Sequence, residues 1–588
     1  MFCPECGTKL DKEALFCPEC GTKVTPLQAV ETAANGTPCV DNAETVSDEP
    51  DIVARGFILT NIQSLSRRLH VRKEMVQDVF NGYIRGMRQW GVRYVLLDAS
   101  DYTYRVRGFL GGRKHVSLGS ADTWADYAAI LKDAHDAEVR SGEPESDYLF
   151  IIGGDDDVPM PCLPHFFDND NDRDFDTDLL YAYPYGDEMA AKLLSQELFS
   201  YDALFYVGRL PVADDGSFSD LTDYLSRVLE QGAAVPVDTA YSQCDPHWKQ
   251  VTLSITEDLN RAGLYPDYGD NLPAEIIAQK RVFLTPHVAL DSQTGKQNPH
   301  AFNEQANYYF FNMHGSNAMH SEGFFGEGLH GEGWAEGMSP LLIARAERPN
   351  IFFTQACYGG RFIRYPKRKS TLLSALTGKT LTYVGSSRVA YGAVDPSDGQ
   401  CRLSTSDILA QAFNCAMLNG YTAGAAFFAA RVETWQTAPG DVVHALTISE
   451  FNLYGDPLVH IGGYQATNYT ADKSALLKPG EKVGVVREEV ISRKSAPGKQ
   501  SLLVQVRSAV DKNIMDISAS IAASLYRQYG IPAREPSIIS RCTYADGRRE
   551  LCFTFSQPGT NGLCNETRVS ASEDGTIKTV ASTKLFTN

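Results

Sequence analysis

The sequence predicts an α/β protein in which a large sheet, flanked by helices, lies between two smaller modules. The first observation is a set of short apolar runs that stop at small or polar residues, as buried strands of a parallel sheet do. Examples are 148–154 (YLFIIGG), 308–311 (YYFF) and 351–353 (IFF). The second observation is that segments with helical spacing of apolar residues separate these runs, and this alternation is typical of α/β folds.

The composition is that of a globular protein with an acidic surface. The 588 residues provide enough chain for several domains, and 43% of them are hydrophobic and 22% charged. The net charge of −19 argues against a body that wraps nucleic acid. We find no apolar leader and no run of 18 apolar residues, so no membrane association is expected.

The cysteine count favours a reducing compartment. The chain has 13 cysteines, and removing the four of a metal-type pattern leaves an odd nine (13 − 4) without a disulfide-like framework. Secreted proteins usually pair their cysteines. The sequence therefore predicts a cytoplasmic protein.

Residues 1–23 contain the heptapeptide CPECGTK twice. The repeat places Cys3, Cys6, Cys17 and Cys20 in two Cys-x2-Cys knuckles. Four thiolates at this spacing match tetrahedral zinc, and so short a segment needs a metal in order to fold. A redox role is disfavoured, because the motif is doubled and no βαβ unit surrounds it. We predict a structural zinc ribbon that can bind a protein activator or partner, whereas its few basic residues argue against nucleic acid.

The rest of the chain divides into a linker, a body and a carboxyl-terminal domain. Residues 24–55 lack periodicity and are predicted to be a flexible linker. The body is predicted to span 56–464 in two halves, about 56–234 and 235–464. Its predicted helices lie within 60–91, 123–139, 219–233, 370–378 and 404–434, and its predicted strands at 91–100, 148–154, 205–212, 308–311, 351–353, 381–387 and 451–461. Residues 465–588 are predicted to form a small α+β domain for recognition or packing.

Two reactive side chains follow successive apolar runs. His314-Gly315 follows the first run, and Cys357, with Gly359-Gly360 behind it, follows the second. Ligands of open α/β sheets bind at the carboxyl ends of the strands. A thiolate is a nucleophile, an imidazole can activate it or protonate a leaving amine, and glycine lets a substrate backbone approach. The pattern favours a catalytic pair over a buried cysteine and a structural histidine.

Other residues near this pair have weaker signals. The glycine-rich loop 316–340 contains His320 and His330, but neither directly follows an apolar strand, so we prefer His314. The loop is interpreted as a flap over the site or as an activation segment. Asp155 follows the strand 148–154 and is expected, from this position, to orient His314.

Carboxylates are concentrated between residues 155 and 178. They are Asp155, Asp156, Asp157, Asp168, Asp170, Asp172, Asp174, Asp176 and Asp178. Oxygen ligands of this kind suit Ca²⁺, although the glycine of an EF-hand loop is missing. A solvated acidic loop is the favoured interpretation, with calcium binding as the alternative.

Several blocks of the chain, taken together, resemble the gingipain-like branch of the caspase-like (clan CD) cysteine peptidases. They are YLFIIGGDDDVPMP (148–161), TDLLYAYPYG (177–186), FYVGRLPV (205–212), the His-Gly and Ala-Cys strand ends, and FNLYGDPLVHI (451–461). Each block alone is a weak indication of the family, but the occurrence of all of them in the order found in the family is specific. The resemblance covers residues 56–464.

The resemblance implies a caspase-like fold and a cysteine endopeptidase that acts on protein substrates through a thioester. It implies that His314 and Cys357 are catalytic and that the backbone N–H groups of Cys357 and Gly315 hold the oxyanion. It also implies that Asp178 is the floor of a pocket selecting Arg or Lys before the scissile bond, and that Tyr391 helps to wall this pocket.

Two features of function stay open. Gingipains are secreted, so a cytoplasmic member is expected to be a regulated peptidase rather than a digestive one. A transpeptidase fits the same dyad, because hydrolysis and ligation share the thioester. A non-catalytic adaptor is a further alternative, which the intact His-Gly and Ala-Cys-Tyr-Gly-Gly sequences argue against.

Overall fold

A computed structural model of the chain describes residues 51–104, 114–115, 123–165, 172–196, 198, 202–268, 272–285, 302–316, 323–327, 333–395, 402–462, 485–493, 512–544, 547–558 and 564–583. The predicted zinc ligands Cys3, Cys6, Cys17 and Cys20 lie outside these ranges, as do His320 and His330. Asp168 and Asp170 lie outside them too.

The described residues form twenty-six strands. In chain order they are β1 (Ala54–Thr60), β2 (Val92–Asp98), β3 (Thr103–Tyr104), β4 (Lys114–His115), β5 (Tyr148–Ile152), β6 (Cys162–Pro164), β7 (Asp174–Asp176), β8 (Tyr206–Leu210), β9 (Ala234–Val235), β10 (Ala240–Cys244), β11 (Ile277–Ala278), β12 (Val282–Leu284), β13 (Tyr308–Asn312), β14 (His314–Gly315), β15 (Phe324–Glu327), β16 (Trp334–Met338), β17 (Asn350–Thr354), β18 (Thr380–Ser386), β19 (Tyr391–Gly392), β20 (Phe451–Gly455), β21 (His460–Ile461), β22 (Val485–Arg493), β23 (Ile538–Tyr544), β24 (Arg549–Pro558), β25 (Cys564–Ser572) and β26 (Ile577–Thr583).

The same ranges contain thirteen α-helices. They are α1 (Ile62–Arg68), α2 (Lys73–Gln89), α3 (Trp124–Ser141), α4 (Asp187–Leu194), α5 (Phe218–Gln231), α6 (Lys249–Ile255), α7 (Glu257–Arg261), α8 (Pro340–Ile343), α9 (Thr371–Thr377), α10 (Ser406–Leu418), α11 (Ala423–Thr437), α12 (Val442–Glu450) and α13 (Lys512–Tyr529).

Eleven strands form one central sheet in the order β11-β12-β10-β13-β17-β18-β20-β8-β5-β1-β2. Every residue of β5, β8, β13 and β17 is buried, as the apolar runs predicted, and so is every residue of β10, which was not predicted. Helices flank the sheet, with α2 against β2, α9 against β18 and α11 against β8 and β20. The predicted α/β fold is therefore confirmed. The two predicted halves contribute to a single sheet, joined where Tyr454 of β20 pairs with Arg209 of β8.

The register of the parallel strands β10, β13, β17 and β18 determines where the candidate site lies. Cys244 pairs with Asn312, Phe311 with Thr354, and Phe353 with Val384. The carboxyl ends of these four strands are therefore level with one another. The residues that follow them must meet at one edge of the sheet.

A second sheet has six strands in the order β19-β26-β25-β24-β23-β22. Helix α13 packs Ile517, Ile521 and Leu525 into a core with Phe553 and Val569 of this sheet. This arrangement confirms the predicted α+β character of the carboxyl-terminal region. The sequence analysis missed both β22 and β25, and it did not predict that β19, from the body, forms an edge of this second sheet.

Among the described residues, no helix is both long enough and apolar enough to cross a membrane.

Candidate active site

Three chemically active side chains follow three neighbouring strands. Asp245 comes directly after β10, His314 lies just beyond β13, and Cys357 lies three residues beyond β17. Because these strands are parallel and in register, the three residues meet at the same edge of the sheet. The structure brings the two residues predicted from the sequence together and adds a carboxylate to them.

His314 is held in place by one carboxylate and two aromatic rings. Its Nε2 atom lies 3.5 Å from Oδ2 of Asp245, which is completely buried. The rings of Trp248 and Trp334 lie with their centroids 4.3 and 4.7 Å from that of the imidazole. A buried carboxylate at this distance stabilises the protonated imidazole, and the rings limit its rotation.

Asp245 is itself fixed by its neighbours. Its Oδ1 atom accepts hydrogen bonds from the backbone N–H of His247, at 2.8 Å, and from the His247 ring at 2.9 Å. Its Oδ2 atom accepts the backbone N–H of Glu327 at 2.6 Å. The hydrogen bond to Asp245 raises the pKa of His247. Asp245 therefore presents a carboxylate of fixed orientation to His314.

Sequence analysis proposed Asp155 for this orienting role, whereas the structure places Asp245 beside His314. Asp155 accepts a hydrogen bond from the backbone N–H of Met160 at 2.8 Å, and Asp245 is the carboxylate beside His314. The sequence signal for Asp245 was weak, because the strand before it, AYSQC, contains Ser242 and Gln243 and does not form an apolar run. Only the sheet order shows that β10, and not β5, is next to β13.

Cys357 lies against the backbone of the segment that follows β18. The Ala390 N–H donates a hydrogen bond to Sγ at 3.2 Å, and the thiol lies 3.7 Å from the Ala390 carbonyl oxygen. An N–H donor at the sulfur favours the thiolate, which is the nucleophilic form of cysteine. Only 1% of Cys357 is exposed.

The turn after Cys357 depends on unusual backbone geometry. Tyr358 adopts a φ of 57°, which L-residues with large side chains rarely adopt. Its N–H donates to the Arg388 carbonyl at 2.8 Å, and its hydroxyl donates to Asp172 at 2.9 Å. These contacts fix the strained residue and, with it, the direction of the Cys357 side chain.

Gly315 brings the histidine segment against the cysteine segment. A Cβ atom at position 315 would lie 1.8 Å from the carbonyl oxygen of Cys357 and 2.8 Å from its nitrogen. Only glycine permits this approach. The predicted pairing of His314-Gly315 with Cys357 therefore has a direct steric basis.

Tyr391, predicted to wall a specificity pocket, is 1% exposed and lies in β19. It pairs with Thr583 of β26, and its carbonyl accepts hydrogen bonds from the hydroxyls of Thr405 and Ser406 at 2.6 and 2.5 Å. This position is one residue beyond Ala390. Its role toward substrate stays a prediction, and its observed role is to anchor the segment that contacts Cys357.

Asp178, predicted as the floor of the specificity pocket, is bound to an arginine of the chain itself. Arg209 is completely buried and donates to both Asp178 oxygens at 2.7 Å. Although burial acts to lower it, this pairing raises the pKa of Arg209 above its ordinary value. The assignment of Asp178 to substrate recognition stays a prediction that this bidentate pair does not favour.

The other described carboxylates of the acidic segment also have protein partners. Asp174 and Asp176 bind Arg388, and Asp157 binds Arg68. Within the described ranges, no group of three or more His, Cys, Asp or Glu side chains could hold a metal ion. The described part of the chain therefore gives no support to calcium binding, which was the alternative to a solvated acidic loop.

Two other cysteines near the site are held as thiols. Burial, followed by the charges of Asp176 and Asp174, raises the pKa of Cys162 to about 12. Burial likewise raises the pKa of Cys244, the last residue of β10. Neither residue is suited to act as the nucleophile at neutral pH.

Comparison with known proteins agrees with this geometry. A model of peptidase family C25 matches residues 114–462, and a model of a zinc-ribbon domain matches residues 2–24. A search of curated proteins gave no match. The family match supports a cysteine peptidase. Because the family model matches more than half of the chain, the protein belongs to peptidase family C25.

Solved structures are similar to the chain at low sequence identity. A crystal structure of the Arg-specific cysteine proteinase gingipain R is 11% identical, with a TM-score of 0.44, over 92% of this chain and 99% of that one. A second structure, described as a protease, is 12% identical with a TM-score of 0.41, over 92% and 94% of the two chains. The separase–securin complex of Saccharomyces cerevisiae is 10% identical, with a TM-score of 0.30, over 58% and 18%. Because these identities and TM-scores are low, the assignment to peptidase family C25 rests on the family model.

The close approach at Gly315 predicts the effect of one methyl group. Gly315→Ala should force the histidine and cysteine segments apart and lower the free energy of unfolding by about 1–3 kcal/mol. Gly82→Ala is the matched control, because Gly82 lies in α2 with nothing within 4 Å of the added Cβ. This control should stabilise the protein by up to about 1 kcal/mol. Thermal unfolding measures both, and a Gly315→Ala variant as stable as wild type would contradict the geometry.

Proposed function

We propose that the protein is a cysteine endopeptidase in which Cys357 and His314 form the catalytic dyad. The observation that carries the proposal is the meeting of Asp245, His314 and Cys357 at the ends of three parallel strands. Membership of the peptidase family supports a protein substrate. The N–H donated by Ala390 supports Cys357 as the nucleophile.

The proposed reaction has two steps. His314 takes the proton of the Cys357 thiol, the sulfur attacks the scissile carbonyl carbon, and the carbon–nitrogen bond then breaks as His314 gives this proton to the departing amine. The resulting thioester is hydrolysed by water, which restores the thiol and releases the new carboxyl end of the substrate. The backbone N–H groups of Cys357 and Gly315 are the proposed oxyanion donors.

Asp245 is a positioning residue in this scheme. Its carboxylate stabilises the positive charge on His314 before the proton is transferred. Trp248 and Trp334 keep the imidazole directed at the reaction centre. Because Asp178 already binds Arg209 through both carboxylate oxygens, we expect other residues to determine which substrate is cleaved.

The burial of Cys357 supports a regulated enzyme. With 1% of the residue exposed, a peptide carbonyl reaches Sγ only after neighbouring chain moves. The three-stranded sheet of β14, β15 and β16 starts at His314 and belongs to the loop predicted as a flap. We therefore propose that β15 and β16, described strands of this loop, move to admit the substrate.

Replacing the dyad residues tests the proposal directly. Cys357→Ala and His314→Ala should each lower kcat/KM at least about a thousandfold on a fluorogenic peptide library that varies the residue before the scissile bond. Cys415→Ala is the control, because Cys415 is an exposed cysteine away from the site, and it should cleave like wild type. Full activity in Cys357→Ala would exclude the mechanism. Ligated products in place of hydrolysed ones would indicate a transpeptidase, and inactivity of wild type would favour the adaptor.

We further propose that Cys3, Cys6, Cys17 and Cys20 hold one structural zinc ion. The match of the zinc-ribbon model to residues 2–24 and the four-thiolate donor set support this assignment. The ribbon is then a tethered module that can bind a protein activator or partner. A cytoplasmic location, in which these thiolates stay reduced, remains a prediction from the cysteine pattern.

Metal release provides the test of the ribbon. A mercurial reagent should free about one equivalent of zinc from the full chain, measured with a chromogenic chelator. The double variant Cys3→Ser/Cys6→Ser should release almost none, whereas Cys39→Ser, in the predicted linker, should release as much as wild type. Equal release from the double variant would assign the metal to other ligands.

A further inference from the structure

A charged cavity lies at the same edge of the sheet as the proposed active site. Its volume is about 510 Å³, and its wall includes Asp155, beyond β5, together with Arg361 and Tyr365, from the turn after Cys357. Residue 361 is only four positions beyond the proposed nucleophile. Four residues of extended chain span at most about 14 Å, so a peptide bound at Cys357 is long enough to reach this cavity.

The acidic groups in the cavity wall already have donors. Asp174 and Asp176 both bind Arg388, which lies between them. One oxygen of Asp155 accepts the Met160 N–H. Arg388 offsets one of these three negative charges, and with the other basic residues of the wall the cavity has four cations against three carboxylates, a net charge of +1 (4 − 3).

Three basic side chains in the same wall form no ion pair with the described carboxylates. Among the described residues, no carboxylate forms an ion pair with Arg361, Arg364 or Lys369, although their neighbour Lys367 binds Asp220. The guanidinium of Arg361 lies 5.8 Å from the ring centroid of Tyr358 and 5.2 Å from that of Tyr365. Two aromatic faces therefore orient this cation in advance, which reduces the entropy lost when it binds an anion.

The charge of this segment also contrasts with that of the whole chain. Residues 361–369 (RFIRYPKRK) contain five basic residues in nine, whereas the protein carries a net charge of −19. The overall negative charge repels long polyanions such as nucleic acid. A single carboxylate at the cavity interacts mainly with the nearby cations, because more distant charges are screened beyond about 8 Å at physiological salt.

We propose that this cavity is a subsite that binds an acidic side chain, Asp or Glu, of the protein substrate close to the bond cleaved by Cys357. The inference rests on the proposed peptidase function. Arg361 and Arg364 supply charge-assisted hydrogen bonds to the carboxylate, and Lys369 adds a point charge at the rim. The strained Tyr358 connects the subsite to the nucleophile, since its ring contacts Arg361 and its backbone follows Cys357.

Cleavage-site profiling tests this assignment. Wild type is incubated with a proteome-derived peptide mixture, and mass spectrometry should show enrichment of Asp and Glu at one fixed distance from the cleaved bond. A synthetic peptide with Glu at that position should then have a kcat/KM about tenfold above its Gln counterpart. The double variant Arg361→Gln/Arg364→Gln should reduce this Glu-to-Gln ratio to about 1.

Matched variants distinguish an effect of the cavity on the Glu-to-Gln ratio from a general effect of surface charge. Arg368→Gln removes a charge from the same basic segment at a residue outside the cavity wall, and it should keep the wild-type ratio. Arg364→Glu should reverse the preference toward a Lys-containing peptide. A double variant that keeps the Glu preference, or a wild type that cleaves without any acidic preference, would overturn the inference while the peptidase function stands.

A binding measurement separates failure of the inference from failure of the proposed function. If wild type cleaves nothing, fluorescence anisotropy of fluorescein-labelled hexaglutamate and hexaglutamine peptides on the Cys357→Ala full chain decides the matter. Preferential binding of hexaglutamate that the double variant abolishes would keep the acidic subsite without the peptidase. Equal binding of the two peptides, or a hexaglutamate preference that the double variant keeps, would overturn it.

Discussion

The register of the parallel strands β10, β13 and β17 is the constraint on which the site depends. Backbone pairing between Cys244 and Asn312 and between Phe311 and Thr354 makes the carboxyl ends of the strands level. A shift of one residue in either pair would turn each side chain to the other face of the sheet. The aromatic residues that fill β13 and β17 fix that register, with the rings of Phe311 and Phe352 stacked 5.0 Å apart. The chemistry of the site is thus set by the packing of a buried sheet.

The carboxyl-terminal domain is coupled to this site through one segment of backbone. Ala390 contacts the Cys357 sulfur, and Tyr391, the next residue, pairs with Thr583 of the second sheet. Farther along, Asp395 accepts the N–H groups of Gln250 and Val251 at the start of α6. Burial raises the pKa of Asp395 to about 6. The segment that positions the cysteine is therefore anchored both to the carboxyl-terminal sheet and to the helix that follows Asp245.

Local sequence patterns predicted strands β13 and β17 and the two candidate dyad residues because each can be recognised from a few consecutive residues. The runs YYFF and IFF are recognisable as buried strands from their own composition, and His314 and Cys357 are placed by where those runs stop. Asp245 was missed because its role depends on which strand is next to β13, and strand order is a long-range property. The commitment of Asp178 to Arg209 was missed for the same reason, since the two residues lie 31 positions apart. Strand β19 has two residues, too few for any periodic signal.

The central claim is that Asp245 and His314 together activate Cys357, and the rate of alkylation of Cys357 tests it most directly. Wild type, His314→Ala and Asp245→Asn are treated with iodoacetamide between pH 5 and 9, and mass spectrometry follows Cys357, with exposed Cys415 as the internal reference. The account predicts that wild-type Cys357 reacts at pH 6 at least about tenfold faster than in His314→Ala, with Asp245→Asn in between. Identical pH profiles in all three proteins would contradict the account, because the reactivity of Cys357 would then be independent of His314 and Asp245.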